Sequence, residues 1–495
     1  MIYTVTSTLP EIHGGRTKSL LERIKLYSKE LNIRQTILTT NYNPHYENIY
    51  NKFINNNILN EDTVILNLYD WLSGFKLLNN NNIKKAHDIK QQIKIKDYNY
   101  KEDFDKNCVR YYDNNTGRYI LYRQFYSNSE IIKFEDYFTE GIKHKVERWE
   151  YNSSGILHKI TNYSSKFNKK LAEYFYDLEG NIYCKKYYED SLTNKLDCIF
   201  TYKEGVIFKT FQSEKNMFKY FFDSILKKGD IVFNDARLLD RPLLDCKAAI
   251  KPILVFHSSH HIEGEEKKSY KYCLENSNKV AKYYLLTEDQ QKDIQIEFDI
   301  NSDKFAVIPH FIKKSKEKTI KKDQFVYVGR FNEEKQISHI IKSFKKFNEF
   351  GYKTKLVLYG GTDLKEKNII QSLVQEYNLE DFVEIHEFTS NPELAFRESL
   401  ASLLTSRFEG FALTLMESIN EGCPAISYDI KYGPSEIILH GENGYLIEAD
   451  NIDEFAQAMV RIKEKPLKNV INKKELSYES AIINLDNLIK DVEKI

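Results

Sequence analysis

The sequence predicts an α/β protein with two parallel α/β domains and an antiparallel β module inserted into the first of them. A strand–loop–helix–strand order opens the chain, and a similar order begins again near Gln324. Between them lie repeats rich in Tyr and Phe with evenly spaced glycines, which predict antiparallel hairpins. The length of 495 residues exceeds what one hydrophobic core usually serves, so we expect two or three domains.

Charge and cysteine usage exclude several classes of protein. Lys+Arg and Asp+Glu balance at 72 each, so no net field favours nucleic acid, and we expect no nucleic-acid partner. The six cysteines form no CxxC pair and no cluster with histidine at metal-ligand spacing, which is typical of a reduced, cytosolic protein. No apolar run reaches about 18 residues and no export signal opens the chain, so we expect a cytoplasmic protein.

The first domain opens with a strand at residues 2–7, a loop at 10–17, and a helix with apolar residues at helical spacing from Leu20 onward. Gly14-Gly15 in the loop would let a ligand approach the backbone closely, although a plain turn explains the pair equally well. Further strands are predicted at residues 35–40, 63–68, 229–235, 253–261 (ending in a histidine-bearing loop), 280–287 and 305–309.

The composition changes near residue 79, where a polar, charged connector (79–105) leads into the β module. Gly155, Gly180 and Gly205 stand 25 residues apart, each in a turn between aromatic runs, and an earlier copy lies at residues 112–117. An aromatic sheet of this kind needs a partner surface, so we predict oligomerisation or polymer binding. A lid or spacer is the alternative.

The domain boundaries follow from these changes in composition. They are 1–78 and 213–312 for the N-terminal domain, 79–212 for the module, 313–475 for the C-terminal domain and 476–495 for a terminal helix. Two such α/β domains place the carboxyl ends of their strands across a cleft, where sheets of this kind bind ligands.

Four loops of the second domain follow predicted strands and therefore meet at that cleft. Gly329-Arg330 with Lys335 offers two cations suited to a pyrophosphate, although surface salt bridges would use the same residues. Gly360-Gly361 allows close backbone approach. Glu387-Phe388-Thr389 is placed to hold a planar ring through backbone hydrogen bonds, and the fourth loop contains Glu409.

Glu409 and Glu417 stand eight positions apart, between a predicted buried strand at 400–404 and a helix of about two turns. Glu409 then lies in the loop that leads into the helix, and Glu417 lies on the helix itself. The first amides of this helix, near residues 412–414, have no helical acceptor and predict a phosphate site. An ordinary surface loop and amphipathic helix is the alternative.

Together these residues resemble the nucleotide-sugar domain of the family-4 retaining glycosyltransferases of the GT-B class. The matching segments are Gly329-Arg330 with Lys335, Gly360-Gly361, the Glu409/Glu417 pair, Asn443-Gly444-Tyr445-Leu446, and in the first half Gly14-Gly15 and the histidine loop. The resemblance implies a GT-B fold, with two Rossmann-like domains facing a cleft and the β module inserted in the N-terminal domain.

Three further features are similar to those of the bacterial wall teichoic acid α-glycosyltransferases, which decorate poly(glycerol phosphate) or poly(ribitol phosphate). They are residues 14–19, residues 428–435 and the β module, so the resemblance covers essentially the whole chain. The glycosyltransferases that attach N-acetylglucosamine to serine-rich adhesins share the module and the Lys-Tyr-Gly-Pro-Ser segment at 431–435. Their N-terminal loop differs, which favours the teichoic acid enzymes.

The resemblance implies a role for each matching residue. Arg330 and Lys335 would bind the diphosphate and stabilise charge on the leaving UDP, while Glu409 would hold hydroxyls of the donor sugar. Glu417 would bind the ribose. The full set of implied donor-binding residues is Gly15, Gly329, Glu387, Phe388, Thr389, Phe411, Ala412, Leu413, Thr414 and Glu417.

His260 is the residue expected near the donor sugar, and we group it with Arg330, Lys335 and Glu409 as catalytic. His257 would lie behind it. A structural histidine is the alternative for either. Arg16, Lys18 and His257 are the candidates for contact with the acceptor, and for the two cations a helix-surface role is the alternative.

No metal or other cofactor is expected. The triplet Asp103-Phe104-Asp105 has the form that metal-dependent GT-A enzymes use, but it lies in the charged connector with no predicted strand before it. The resemblance implies retention by front-face substitution, in which the departing phosphate helps to deprotonate the acceptor. Glu409 is therefore not assigned as a nucleophile, although two carboxylates fit the glycosidase pattern.

The sequence thus predicts an enzyme that transfers glucose from UDP-glucose to poly(glycerol phosphate) and forms an α-glucoside. One alternative is UDP-GlcNAc transfer to poly(ribitol phosphate) or to Ser/Thr of an adhesin, because one or two pocket atoms decide the donor sugar. Another is a non-catalytic partner subunit of the same fold. We also expect a homotrimer formed through the β module, and peripheral association with the inner face of the cell membrane.

Overall fold

The computed structural model describes residues 1–11, 14–77, 95–262, 264–315, 317, 319–360 and 363–495. Three predicted features lie outside the described residues: Ile12-His13 of the N-terminal loop, connector residues 79–94, and Gly361. The chain divides into two compact units: unit 1 comprises Met1–His13 and Arg34–Ile250, and unit 2 comprises Gly14–Ile33 and Lys251–Ile495. The domain boundaries drawn from the sequence stay a prediction.

The strands, in chain order, are β1 (Ile2–Thr6), β2 (Thr36–Thr39), β3 (Val64–Asn67), β4 (Tyr98–Asp103), β5 (Cys108–Asp113), β6 (Tyr119–Phe125), β7 (Ile132–Tyr137), β8 (Glu147–Tyr151), β9 (Leu157–Tyr163), β10 (Lys170–Tyr176), β11 (Ile182–Tyr188), β12 (Leu196–Lys203), β13 (Val206–Phe211), β14 (Ile231–Asn234), β15 (Lys251–Val255), β16 (His261–Ile262), β17 (Glu265–Glu266), β18 (Lys282–Leu285), β19 (Phe305–Val307), β20 (Gln324–Val328), β21 (Lys355–Tyr359), β22 (Val383–His386), β23 (Ala401–Leu404), β24 (Ala425–Tyr428) and β25 (Gly444–Ile447).

The α-helices, in chain order, are α1 (Gly15–Glu30), α2 (Tyr46–Asn55), α3 (Leu68–Leu72), α4 (Glu214–Ile225), α5 (Asp240–Leu244), α6 (Lys268–Glu275), α7 (Glu288–Phe298), α8 (Ile337–Asn348), α9 (Leu364–Glu376), α10 (Pro392–Arg397), α11 (Leu413–Asn420), α12 (Pro434–Ile437), α13 (Ile452–Glu464) and α14 (Tyr478–Lys494).

Unit 1 contains parallel strands in the order β14-β1-β2-β3. Tyr3 of the central strand β1 is in register with Val232 on one side and Thr36 on the other. The predicted opening of a parallel sheet is confirmed. Strands of such sheets are buried on both faces, which agrees with the burial of every residue of β14 and of all but the first residue of β1.

The β module forms an antiparallel sheet in which the strands follow chain order from β4 to β13. Gly155, Gly180 and Gly205 lie in its turns with φ of 78°, 85° and 78°, a left-handed conformation that glycine adopts without steric cost. Each joins two adjacent paired strands, as in the hairpin of β10 and β11. The predicted repeat of hairpins is confirmed.

One end of the module shares an apolar core with the parallel strands of unit 1. Phe175 and Tyr183 of the module lie in one buried cluster with Tyr69, Phe221 and Val232. Lys186 is buried beside them, with its Nζ 5.5 Å from the centre of the Tyr69 ring. The module is thus a structural part of unit 1, and deleting it would expose this core to water.

Unit 2 contains parallel strands in the order β15-β18-β19 and a second parallel sheet in the order β22-β21-β20-β23-β24-β25. Val326 of β20 is in register with Val357 of β21 and Ser402 of β23. The carboxyl ends of these strands therefore lie side by side. They carry the predicted loops that begin at Gly329, Gly360, Glu387 and Thr405.

Two local predictions are wrong. Gly15, Arg16 and Thr17 were expected in a loop, but they form the first turn of α1, since the Lys18 amide donates to the Gly14 carbonyl at 3.2 Å. The connector was expected to lack a strand before Asp103-Phe104-Asp105, but β4 ends at Asp103. Asp103 pairs with Arg110 on the adjacent β5 at 3.3 Å, so this carboxylate is engaged within its own hairpin.

The six cysteines are all described and all are free thiols, as predicted. Among the described residues, none of the helices combines the length and the apolar character that crossing a membrane requires.

Candidate functional site

The site in unit 2 centres on an ion pair between two residues that the sequence singled out. Lys335 Nζ lies 2.6 Å from Glu409 Oε1, and the Ser406 hydroxyl donates to the same oxygen at 2.7 Å. The side chains of Lys335 and Glu409 are 16% and 12% exposed. The half-buried Glu409 carboxylate is therefore held by a cation and a hydroxyl, a charge-assisted geometry that fixes its orientation.

The loop after β23 positions this pair. The Thr405 hydroxyl donates to the carbonyls of Lys335 and Gln336 at 3.1 and 2.9 Å, and the Arg407 amide donates to the Glu334 carbonyl at 2.8 Å. These bonds join the loop that follows β20 to the loop that follows β23. Lys335 and Glu409 thus meet because two neighbouring parallel strands end at the same edge of the sheet.

Arg330 does not join the pair. Its guanidinium is 75% exposed and lies 3.8 Å from Glu334, while its backbone carbonyl accepts a hydrogen bond from the Tyr327 hydroxyl at 3.0 Å. The neighbouring Gly329 packs against Gly360. A Cβ added to Gly360 would lie 1.7 Å from the Gly329 carbonyl oxygen. The two glycines therefore allow a contact between β-strand ends that no side chain permits.

The N-terminus of α11 follows directly on Glu409. Ala412 precedes the helix in a left-handed conformation, with φ 68° and ψ 58°, and no side chain in the described part of the chain caps the first turn. Phe411 is buried, and Gly433 packs closely against it. A Cβ added to Gly433 would lie 2.1 Å from the Phe411 carbonyl oxygen. The predicted helix of about two turns is confirmed, and its leading amides are candidates for holding an anion.

Helix α1 packs against α11 within unit 2. A Cβ on Gly15 would lie 2.5 Å from Leu413 Cδ1, and Lys18 Nζ lies 2.5 Å from Glu417 Oε1. Burial disfavours the charge on Lys18, but Glu417 outweighs it and raises the pKa of the ammonium above its ordinary value. Glu417 thus has a cationic partner that the sequence did not predict, while Arg16 is exposed.

The histidine loop contacts the Glu409 segment through backbone. A Cβ on Gly410 would stand 2.4 Å from the His257 carbonyl oxygen and 2.7 Å from Ser258 Cα. The His257 ring stacks near His310 with centroids 6.2 Å apart. The structure therefore brings His257 and Glu409 into adjacent segments, with Gly410 as the point of contact.

His260 is fully buried, 6.3 Å from the Tyr432 ring and 4.1 Å from the His261 ring, measured between centroids. Burial, reinforced by the charge of His261, lowers the pKa of His260 to about 4, so its imidazole is neutral near pH 7. Nε2 of both histidines faces Glu297, at 3.4 Å from His260 and 2.9 Å from His261. These three side chains are candidate metal ligands.

The predicted ring-binding loop is exposed. Glu387 is 84% exposed and lies 3.9 Å from Lys367, and Phe388 is 69% exposed. The Thr389 hydroxyl accepts a hydrogen bond from the Asn391 amide at 3.1 Å. This loop follows β22, and the His386 carbonyl that precedes it accepts from the Gly360 amide at 3.3 Å.

Sequence reasoning missed several polar residues that build the site. Ser406 stands three residues before Glu409, a spacing that suits a side-chain bond across a turn and was available in the sequence. No feature of the sequence near Asp293 indicated a role for this residue. Its carboxylate accepts hydrogen bonds from Lys431 at 2.8 Å and from the Tyr432 hydroxyl at 2.5 Å. Lys267, which donates to the Ser259 carbonyl at 2.8 Å, was also missed.

Two family models match the chain: residues 3–195 match glycosyl transferase 1 domain A, and residues 310–478 match glycosyl transferases group 1. A poly(glycerol-phosphate) alpha-glucosyltransferase of Bacillus subtilis is 25% identical over 93% of this chain and 69% of the relative. A poly(ribitol-phosphate) alpha-N-acetylglucosaminyltransferase of Staphylococcus aureus is 26% identical over 93% of this chain and 92% of the relative.

Solved structures share the fold. The S. aureus TarM G117R mutant, in complex with fondaparinux, alpha-GlcNAc-glycerol and UDP, matches with a TM-score of 0.81 at 23% identity, over 99% of this chain and 98% of that one. The pneumococcal O-GlcNAc transferase GtfA, in complex with UDP and GlcNAc, matches with a TM-score of 0.71 at 17% identity, over 99% and 98%. The predicted GT-B class of α/β fold and the predicted enzyme class are both confirmed: residues 3–195 and 310–478 match glycosyltransferase domains, and solved glycosyltransferases share the fold.

Proposed function

We propose that the protein transfers glucose from UDP-glucose to poly(glycerol phosphate) of wall teichoic acid, with retention of the anomeric configuration. The observation that carries the proposal is the Lys335–Glu409 pair, 2.6 Å apart, directly before the N-terminus of α11. The names of the B. subtilis and S. aureus relatives support a polyol-phosphate acceptor and a hexose donor. We propose the inner face of the cell membrane as the place of action.

The donor diphosphate is proposed to bind at the first amides of α11, next to Lys335. When it does, Lys335 Nζ donates to a phosphate oxygen and releases Glu409, whose carboxylate then accepts from hydroxyls of the sugar. Lys335 contributes most when negative charge develops on the leaving UDP, because a preorganised cation needs no reorganisation at that moment. Arg330, which is exposed, supplies a second cation.

The reaction breaks the bond between sugar C1 and the β-phosphate oxygen and forms a bond from C1 to an acceptor hydroxyl oxygen. The hydroxyl proton passes to the departing phosphate, on the same face of the sugar. Glu409 is proposed to hold the sugar and not to attack it, because in a front-face substitution the acceptor oxygen itself forms the new bond to C1. The neutral His260 is proposed to lie near the sugar.

The nucleoside is proposed to occupy a cavity of about 590 Å³ that Glu417 lines together with Lys18, Glu393 and Arg397. This volume lies within the usual range for small-molecule sites, about 300–1,000 Å³. Glu417 would accept from the ribose hydroxyls once Lys18 moves away. The backbone of Glu387, Phe388 and Thr389 would form hydrogen bonds with the edge of the base.

A donor-by-acceptor matrix tests the function: UDP-glucose and UDP-GlcNAc against glycerol-phosphate polymer, ribitol-phosphate polymer and a serine-rich peptide, read as UDP release and product linkage. The proposal expects the highest kcat/KM for UDP-glucose with the glycerol-phosphate polymer and an α-linked product. A preference for UDP-GlcNAc would favour the alternative function, transfer of N-acetylglucosamine, which is the activity named for the S. aureus relative. The absence of turnover with every pair would favour a non-catalytic partner subunit.

The same assay with added EDTA tests whether the reaction needs a metal. We propose that it needs none, because Lys335, Arg330 and the α11 amides would stabilise the negative charge on the leaving diphosphate. Transfer should continue at full rate after treatment with EDTA. Restoration of activity by Mg²⁺ or Mn²⁺ in an EDTA-treated sample that had lost it would contradict the proposal.

Lys18→Ala is expected to have opposite effects on the KM values of the donor and the acceptor. Without Lys18 the donor no longer displaces an ion pair at Glu417, and a pair with such a partly exposed lysine is worth about 0.2–1 kcal/mol, so KM for the donor should fall by about 1.4- to fivefold. KM for the polymer should rise, since Lys18 is a proposed contact for acceptor phosphate. Initial rates with each substrate varied in turn give both constants.

Lys29→Ala is the matched control, because Lys29 is an exposed lysine of the same helix that does not line this cavity. It should leave both constants near wild type. A higher KM for the donor in Lys18→Ala would contradict the proposed displacement.

We also propose a homotrimer formed through the β module. Its edge strand β13 exposes Val206 (68%), Ile207 (53%) and Phe208 (48%), an apolar edge of the kind that pairs with another chain. Ile207→Lys should convert the trimer to a monomer in light scattering. Ile483→Lys, a change at another exposed apolar position, on α14, should leave the mass unchanged. A monomeric wild-type protein would refute the proposal.

A further inference from the structure

Three side chains of unit 2 converge, and the proposed reaction uses only one of them, His260. Glu297 lies in the last turn of α7, His261 begins β16, and His260 directly precedes that strand. Glu297 Oε2 lies 2.9 Å from His261 Nε2 and 3.4 Å from His260 Nε2, and one ligand atom from each residue lies within 4.8 Å of the other two. Both imidazoles therefore face the same carboxylate oxygen.

His260 gives an independent reason to look for a ligand here. Its side chain is 0% exposed, and neither ring nitrogen has a hydrogen-bond partner in the described part of the chain, since the approach to Glu297 lacks hydrogen-bond geometry. A buried polar group left without a partner costs about 1–3 kcal/mol, and native structures rarely keep one without a use. A bound cation would give the Nε2 lone pair a partner.

The donor set selects the class of cation. Two imidazole nitrogens and one carboxylate oxygen form the His₂Glu set that Zn²⁺ uses with a water as fourth ligand, whereas Mg²⁺ and Ca²⁺ prefer oxygen alone. Metal–ligand bonds of about 2.0–2.1 Å at tetrahedral angles place the ligand atoms about 3.3 Å apart. The observed 2.9 and 3.4 Å lie on either side of that separation.

Room for a fourth ligand lies beside the cluster. His261 and Glu297 line a cavity of about 460 Å³, which Asp293 and Tyr432 also line. Asp293 is occupied by Lys431 and by the Tyr432 hydroxyl, so it is not free to bind a metal. We propose that His260, His261 and Glu297 form a site for a zinc-class divalent transition metal, with water from this cavity as the fourth ligand.

Occupation of this site has a consequence for transfer, which rests on the proposed function. A metal that binds His260 Nε2 withdraws the ring from the donor sugar and fixes its orientation. The metal is therefore an inhibitor and not a cofactor, in agreement with the metal-independent reaction proposed above.

Metal binding is tested directly on chelator-stripped full-length protein. Zn²⁺ is titrated in competition with a chromophoric chelator, and Co²⁺ is titrated with its visible absorption as the readout. Wild type should bind one Zn²⁺ per chain and give the intense Co²⁺ bands of a four-coordinate site. Loss of one ligand in His261→Ala or Glu297→Gln should weaken Zn²⁺ binding at least about 10-fold, the size of effect that even outer-shell changes produce.

His386→Ala is the matched control, because His386 Nε2 lies 3.5 Å from Glu384 in an exposed pair to which the described residues add no third ligand. It should bind Zn²⁺ as wild type does. The proposal is overturned if wild type shows no saturable binding, if its Co²⁺ spectrum is that of an octahedral ion, or if both ligand variants bind Zn²⁺ with wild-type affinity. The wild-type Co²⁺ spectrum decides the matter even where a variant fails to fold.

The inhibition is measured on the same proteins, each relative to its own metal-free rate. Zn²⁺ at saturating concentration should abolish transfer by wild type and by His386→Ala and should leave the fractional rate of His261→Ala unchanged. Full activity of zinc-loaded wild type would overturn the inhibitory role. A metal-free protein without transferase activity would contradict the proposed function, and the spectroscopic result would still decide the metal site.

Discussion

Lys335→Ala is expected to lower kcat by about 10²–10³-fold, the cost of removing one preorganised group that stabilises developing negative charge. Lys335 Nζ is 16% exposed and 2.6 Å from Glu409, next to the uncapped N-terminus of α11. Its loss removes the cation that we propose faces the leaving UDP, and it leaves the Glu409 carboxylate with the Ser406 hydroxyl. Because the proposed contact strengthens as the phosphate departs, the effect should fall on kcat more than on KM for the donor.

Steady-state kinetics with UDP release measure this effect, and far-UV circular dichroism with a thermal melt shows that the variant is folded. Lys346→Ala is the matched control: it removes a lysine of α8 that is 44% exposed and pairs with Asp453 at 2.6 Å. It should keep the wild-type rate. A folded Lys335→Ala protein with full kcat would remove Lys335 from the reaction.

The parts of the fold that could be predicted from the sequence are those that short segments determine. The hairpin glycines are an example, since Gly155, Gly180 and Gly205 each adopt a positive φ within a turn of a few residues. The parallel strands and α11 were also predictable, because apolar runs and their periodicity are local properties. The start of α1 was not, because the sequence of Gly14 and Gly15 fits a loop and a first helical turn equally well.

The site was only partly predictable, for a different reason. Lys335 and Glu409 could be picked out as candidates, but their mutual contact joins residues 74 positions apart, and that of Lys18 and Glu417 spans 399 positions. Such pairs depend on which strands end side by side, and a single sequence does not record that. The burial of His260 and its approach to Glu297 are consequences of tertiary packing in the same way.

Arg330 shows the limit of reasoning from charge. The sequence presents Arg330 and Lys335 as two equivalent cations, yet the side chains are 75% and 16% exposed. An exposed cation is well hydrated and screened by salt, so its contribution to binding an anion is smaller than that of a half-buried one. We therefore expect Lys335 to contribute more than Arg330 to the proposed electrostatic effect, a ranking that composition and spacing do not provide.

Gly410→Ala is expected to lower kcat/KM by about 10²-fold, because misplacement of a reacting group by about 1 Å has an effect of that size. An added Cβ would stand 2.4 Å from the His257 carbonyl oxygen and 2.7 Å from Ser258 Cα. Both neighbours are backbone atoms, so neither can rotate away, and the two segments must separate. The separation moves Glu409, which is bonded to Lys335, away from the loop that carries His257 and His260.

Gly117→Ala is the control that separates this effect from a general cost of adding a methyl group. Gly117 has a φ of 67° in a turn of the β module, and nothing lies within 4 Å of an added Cβ, so alanine there meets backbone strain but no steric clash. It should lower the thermal stability slightly, by the roughly 1–2 kcal/mol of a left-handed alanine, and leave kcat/KM unchanged. Gly410→Ala should instead cause a large loss of kcat/KM in a protein that still unfolds cooperatively. If Gly410→Ala retained wild-type kcat/KM, the contact between the Glu409 loop and the histidine loop would have no part in placing the donor sugar.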